Sequence, residues 1–257
     1  MRSHPHQQDS MKVLSLISVG HFFSHFYYLV LPPLFPILRE AYGVGYTELG
    51  FGLMAMSLGN TITATPVGVM VDRYGARILL ISGLALAGLS YILIPLFPNH
   101  LALLVLMTLI GVANSVFHPA NYAILDAIIP EKLMGRAFSI HSFGGYLGTA
   151  AAPVAVVFLA NLTNWQTAII ASGVAGLIMA GILLMCSAYI PDVHQTDDSR
   201  RPNNRNAASP RTLQTLFSVP VLLGLVFFAV LSFVFFWFSV RVLFAGVFVC
   251  VLVCVCV

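Results

Sequence analysis

The chain has 257 residues, of which 59% are hydrophobic and 8% charged, with a formal net charge of +3. A soluble domain carries about 25% charged residues, so the composition excludes a water-solvated globule. The small net charge, with no clustered basic patch, excludes a nucleic-acid binder. The long apolar runs lack period-two alternation, so they read as membrane helices rather than strands of a barrel.

Residues 1–11 read as a cytoplasmic tail, of which Met1 to Ser10 are polar and read as disordered. The first apolar run extends from Val13 to Leu34, where Pro32, Pro33 and Pro36 end it. It is too long for a signal peptide and no small-residue cleavage site follows it. A polar loop, Arg39 to Glu48, leads to a second run from Leu49 to Val71. Then comes a charged hinge, Gly68 to Leu80, holding Asp72, Arg73 and Arg77 in a chain where charge is scarce. The third run is Ile78 to Phe97 and ends in the turn Pro98-Asn99-His100. The fourth run, Leu101 to Leu125, is followed by a polar connector, Asp126 to Arg136. The fifth run is Ala137 to Leu159 and the sixth Gln166 to Ile190. Each is long enough to cross a hydrocarbon core of about 30 Å.

Residues 12–190 therefore form a six-helix bundle, and 191–215 a solvated cytoplasmic linker rich in Asp, Arg, Asn, Ser and Pro. Residues 216–257 hold a seventh hydrophobic segment, beginning near Leu216. Its tail, Phe233 to Val257, is compositionally biased and lacks polar caps, which reads as a frameshift or a misplaced gene end. Lys and Arg set the orientation. With the N-terminus inside, inner segments carry Arg2, Lys12, Arg73, Arg77, Lys132, Arg136, Arg200, Arg201, Arg205 and Arg211. Outer ones carry Arg39, plus Arg241 if the seventh span ends before it. The expectation is a multi-pass protein of the inner or plasma membrane with a cytoplasmic N-terminus and a cytoplasmic hinge. Three spans, a connector and three more spans suit a three-plus-three repeat, a common transporter device.

The pattern Gly68-x3-Asp72-Arg73-x-Gly75-x-Arg77, between a second and a third span, resembles the signature loop of the major facilitator superfamily. That resemblance implies the superfamily's N-terminal six-helix bundle, an inverted repeat, plus part of a seventh helix. It also implies secondary transport of a small molecule by alternating access, with Asp72 locking two halves together on the cytoplasmic face. Gly68 would admit a neighbouring helix, Gly75 a tight turn, and Arg73 and Arg77 would hold the loop at the anionic inner leaflet. Gly20-His21-Phe22-Phe23-Ser24-His25-Phe26 and Ser115-Val116-Phe117-His118-Pro119-Ala120 resemble the fosmidomycin-resistance branch; the expected activity of the superfamily transporter is proton-coupled efflux. The fourth span lacks the arginine pattern of other drug exporters in the superfamily.

Ionisable groups inside a membrane are costly and mark candidate sites. His21, His25, His118 and His141 qualify. His21 and His25 share a helix face with Ser18 and Tyr28. Asn114, His118 and Asn121 form a similar stripe, and the resemblance places both stripes on the central cavity. Two roles are open for each histidine: a proton or substrate group, or a neutral side chain hydrogen-bonded between packed helices. His141 starts a stripe of small residues, Gly144, Gly148 and Ala152, followed by Pro153. It reads as a close-packing face. Antiporters of the superfamily usually have glycine before this proline, and Ala152 departs from that.

No enzyme motif is present. His21-x3-His25 lacks the adjacent histidine pairs of a di-iron hydroxylase, and neither His-Glu-x-x-His nor Gly-x-Ser-Gly occurs. The four cysteines, Cys186, Cys250, Cys254 and Cys256, have no metal-ligand spacing. No cofactor and no metal are implied. The expected partners are the bilayer, a small-molecule substrate and protons. A complete transporter would also need a C-terminal half or a partner chain. Without one the product would be a transport-inactive fragment or a non-transporting membrane partner protein.

Overall fold

The computed structural model describes residues 5–193, all helices and short connections; the linker beyond Val193 and the seventh segment lie outside them. Helix α1 (Pro5–Tyr28) starts on a proline, whose missing N–H costs nothing at a first turn, so Pro5–Ser10, expected to be disordered, is helical. Pro32–Leu34 make a 3-10 turn that leads into α2 (Phe35–Tyr42). Gly43 closes α2 in the left-handed region at φ 64°, its N–H bonding the carbonyls of Arg39 and Glu40. Helix α3 (Tyr46–Tyr74) runs for 29 residues to Gly75, and α4 (Ala76–Leu93) begins at the next position.

Asn99 caps α5 (His100–Asn114), its side chain accepting from the Ala102 N–H at 2.8 Å. The fourth span then breaks at Ser115-Val116 and resumes as α6 (Phe117–Ile128). The cause is Pro119, whose ring clashes with the carbonyl four residues back, that of Ser115. Pro153 lies inside α7 (Glu131–Leu162), which continues past it. Asn164 caps α8 (Trp165–Met185) by accepting from the Thr167 N–H at 2.7 Å.

Among the described residues, five segments are long and apolar enough to cross a membrane: Ser10–Tyr42, Ala76–Leu96, His100–Ile128, Glu131–Leu162 and Trp165–Met185. Helix α3 has the length, about 44 Å at 1.5 Å per residue, but Ser57, Asn60, Thr61, Thr63 and Thr65 dilute its apolar content. It packs along α5 and forms the remaining crossing of the six-helix bundle.

The main helix pairs are α1 with α7, α3 with α5, and α4 with α8. Counted as spans, these are one with five, two with four, and three with six. An exchange of the first three spans for the second three maps the first pair onto the second and the third pair onto itself. This is the packing of an inverted three-plus-three repeat. Glycine holds each pair together. A Cβ on Gly144 would meet the Ser18 carbonyl at 2.9 Å, and one on Gly148 would collide with that of Phe22, so α7 lies directly on α1. Gly59 meets the Thr108 carbonyl at 2.7 Å, and Gly111 would collide with that of Met56. Gly88 and Gly173 meet each other's carbonyls at 2.7 and 2.5 Å. Such contacts replace the hydrophobic driving force that helices lack in lipid. Gly68 does not take part: no atom lies within 4 Å of its Cβ position among the described residues. The neighbouring helix expected there is absent because α5 packs on the opposite face of α3, at Gly52 and Gly59.

Candidate functional site: a histidine centre and a charged hinge

The backbone approach at Gly144 and Gly148 sets α1 and α7 in parallel register, and that register brings His21 onto His141. Their imidazole rings are stacked, with centroids 4.1 Å apart and an interplanar angle of 12°. His25, one turn along α1, lies 4.6 Å from His21. His118 is the second residue of α6 and reaches the same point, 5.3 Å from His21 and 6.3 Å from His25. The four imidazoles named from sequence therefore form one centre on α1, α6 and α7. Sequence assigned His141 a place in the small-residue stripe; the stripe is what carries it into the centre.

The centre has two layers. His21 and His141 are 3% and 1% exposed, whereas His25 is half-buried and His118 exposed. His21 Nδ1 lies 3.2 Å from Ser24 Oγ, and His25 Nδ1 lies 3.3 Å from Thr149 Oγ1. Tyrosines rim the open layer: Tyr28 and Tyr146 at 6.5 and 6.3 Å from His25, and Tyr122 at 5.7 Å from His118. Asn114 contributes through Tyr28, whose phenol it shares with Asn60; Asn60 Nδ2 donates to that oxygen at 2.5 Å. Sequence missed Asn60, Tyr122, Tyr146 and Thr149. Tyr122 carried a signal, one turn from His118; the others are legible only from helix packing.

Several polar atoms here are buried without a hydrogen-bond partner among the described residues. They are both ring nitrogens of His141, both amide atoms of Asn121, Oδ1 of Asn114 and Oγ of Ser18. Each such group costs about 1–3 kcal/mol if left bare. Face-to-face stacking of His21 and His141 keeps their nitrogens from converging. Among the described residues no group of three or more His, Cys, Asp or Glu is placed to hold a metal ion.

The hinge lies at one end of the bundle. Gly75 has φ 92° and alone separates α3 from α4. Arg77, expected at the lipid surface, instead turns back on the chain after α8. Its Nη1 donates to the carbonyls of Ser187 and Ile190 at 2.9 and 3.2 Å, and its Nη2 to Asp192 Oδ2 at 2.8 Å. The Ala76 N–H adds a bond to the Val193 carbonyl at 3.3 Å. Carbonyls left over past a helix C-terminus attract a guanidinium, which is why this arginine leaves the surface. Arg73 stays exposed over the Tyr74 ring, 5.3 Å from its centroid. Asp72 is half-buried at the end of α3.

Residues 17–252 match the family described as Major Facilitator Superfamily. The chain belongs to this superfamily. It is 25% identical over 200 residues to "Probable anion transporter 6" of Oryza sativa subsp. japonica, covering 73% of this chain and 46% of that one. It is 23% identical over 221 residues to the fosmidomycin resistance protein of Escherichia coli K12, covering 86% and 53%. Among solved structures it resembles a bacterial homologue of the human lysosomal transporter Spinster, inward-facing and unoccupied. That match has TM-score 0.62 and 15% identity, and covers 75% of this chain and 45% of that one. The chain spans about half the length of the curated relatives it matches. In superfamily terms the described residues are the first bundle, with the signature hinge at one end and the histidine centre within the helices.

Proposed function

We propose that this chain forms the first bundle of a proton-coupled secondary transporter, and that the histidine centre is where protons and a small-molecule substrate bind. The observation that carries this reading is the convergence of His21, His25, His118 and His141 within 4.1–6.3 Å on three helices. Imidazole is the side chain whose ordinary titration lies between about pH 5 and 8, and intramembrane ionisable groups are retained for function. His25, His118 and the tyrosine rim form the side that substrate meets; His21 and His141 form the buried layer behind. Below this layer a cavity of about 510 Å³, lined by Ser10, Leu14, Arg136 and Ala137 among others, approaches Ser18 and His141 to within one helical turn.

Transport by alternating access needs a second bundle facing this one. The open side, with Tyr146 71% and Tyr122 45% exposed, is where we place it, supplied by a C-terminal half or a partner chain. Residues 12–190 are then the bundle, 191–215 the link between bundles, and 216–257 the first segment after that link. The inner or plasma membrane with a cytoplasmic N-terminus is the setting that the Lys and Arg distribution supports. The name of the fosmidomycin-resistance relative supports export as the direction. Asp72, Arg73 and the Gly68 face form the cytoplasmic gate, with Gly68 reserved for the second bundle.

The test uses inside-out vesicles carrying the full chain, energised to a proton gradient, with a pH-sensitive dye. Substrates that dissipate the gradient in vesicles with the wild-type chain and not with His118→Gln support the reading. A gradient indifferent to every candidate substrate in the wild type would favour a transport-inactive bundle.

A further inference from the structure

The charge inventory of the histidine centre limits what it can bind. The chain has nine carboxylates, and the seven up to Asp192 are Asp9, Glu40, Glu48, Asp72, Asp126, Glu131 and Asp192; Asp197 and Asp198 lie in the linker. All seven lie near helix ends or in connections, none at the level of the histidines. The groups that face His25 and His118 can be taken element by element. Helix α1 offers His21 and Tyr28, α6 offers Tyr122, and α7 offers His141 and Tyr146. Helix α3 offers Asn60, and α4 and α8 meet α1 at Tyr91 and Gly176, through Tyr27. Among the described residues this set contains no acid, no lysine and no arginine.

A centre of imidazoles and phenols can be neutral, or positive after taking a proton, but at physiological pH it has no group that becomes negative. Among the described residues a cation would meet no counter-charge there. An anion would meet one as soon as a proton arrives, and a charge-assisted hydrogen bond from an imidazolium in a weakly polar setting is among the stronger polar contacts. The accessible rings are His25 and His118, and the exposed faces beside them, Tyr122 and Tyr146, suit a flat apolar body. We propose that this centre binds a small planar organic anion, a carboxylate on an aromatic or conjugated frame, together with one proton. Resting on the proton-coupled reading above, this names its substrate class. The proton ends on His25 or His118, the carboxylate accepts hydrogen bonds from that imidazolium, and no covalent bond forms or breaks. The loaded site carries no net charge. Direction is then set by the sum of the anion gradient and the pH gradient.

The test is calorimetry on the purified full chain in detergent with benzoate, benzamide and benzylamine, three frames of one shape and different charge. Proton uptake is read from buffers of different ionisation heat. Benzoate is ionised throughout the range used, about pH 5.5 to 8. Affinity for it should fall about tenfold per pH unit as the site loses its proton, which is the linkage expected for one co-bound proton. About one proton should be taken up per benzoate, and His25→Gln with His118→Gln should abolish both effects. Benzamide and benzylamine should bind at least tenfold more weakly at the acid end. An acid titration of the ligand-free chain separates proton binding from the choice of anion. If wild type and the double variant take up the same protons without ligand, proton binding at the centre is wrong and both proposals fall. If they differ but benzylamine or benzamide binds as well as benzoate, the anion class is wrong and the proton reading stands.

Discussion

The guanidinium of Arg77 holds the carboxylate of Asp192 at 2.8 Å while its other nitrogen caps two carbonyls of the chain leaving α8. One side chain thus joins the start of α4 to the exit of α8. The ion pair is about a third exposed on each side, and pairs of that kind contribute at most about 1 kcal/mol. The carbonyl bonds are charge-assisted and add more. Asp192→Asn should therefore cost less than about 1 kcal/mol in thermal unfolding in detergent, and Arg77→Ala about 1–3 kcal/mol. Equal costs for the two variants would show that the carbonyls contribute nothing.

Two glycines at comparable depth in the sequence pattern have opposite surroundings. A Cβ at position 148 runs into the Phe22 backbone, whereas one at 68 meets open space. Gly148→Ala should separate α1 from α7 and lower stability by more than about 2 kcal/mol. Gly68→Ala should be neutral, or stabilising by about 0.5–1 kcal/mol through the restricted unfolded chain. The signature glycine is thus predicted to be dispensable for folding. A stable Gly68→Ala chain that has lost transport would place the second bundle against that face, and normal transport would remove it from there.

Gly75 has no such freedom. With φ at 92°, any other side chain strains the turn by about 1–2 kcal/mol. Gly75→Ala should lower the melting temperature, and Gly75→Asn, which tolerates the left-handed region better, should lower it less. An Ala variant as stable as the parent would mean that the hinge relaxes to a different backbone.

The two layers of histidines should separate in a mutant series. His118→Gln, at an exposed ring, should leave unfolding unchanged within about 0.5 kcal/mol and remove proton-coupled flux. His141→Gln, at a ring 1% exposed and stacked on His21, should perturb both. Flux that survives in His25→Gln, His118→Gln and His141→Gln alike would reduce the centre to a packing feature.

Much of this architecture is legible in the sequence because a membrane span declares itself by composition. The limits of the apolar runs, the glycine hinge and the shared face of His21 and His25 follow from local pattern alone. Partner choice does not. Helices in lipid have no apolar stripe pointing to a core, so nothing in α7 names α1 as its neighbour. His141 and the glycines behind it were both visible, yet the 4.1 Å stack depends on a register set across two helices 120 residues apart. The same holds for Arg77, whose partners are 110–115 residues away. Its cationic charge suggested the leaflet, while its real environment is a set of carbonyls that no sequence window contains. The break at Ser115 was half legible: Pro119 is visible in the sequence, but the hydrogen bond from the Thr63 hydroxyl to that of Ser115, 3.0 Å across the bundle, is not.

The glycine contact between Gly88 and Gly173 lies where the repeat folds onto itself, so it has no twin. The other main contact between the two triplets of spans exists twice, once as α1 on α7 and once as α5 on α3. The two copies differ in what they carry. One is close-packed, with Gly59, Gly111 and the Thr63–Ser115 hydroxyl pair. The other carries imidazoles at the matching seam. A bundle with two equivalent interfaces can thus hold polar side chains in one while the other stays tightly packed, whereas at the axis the backbones of Gly88 and Gly173 come too close for a side chain at either position.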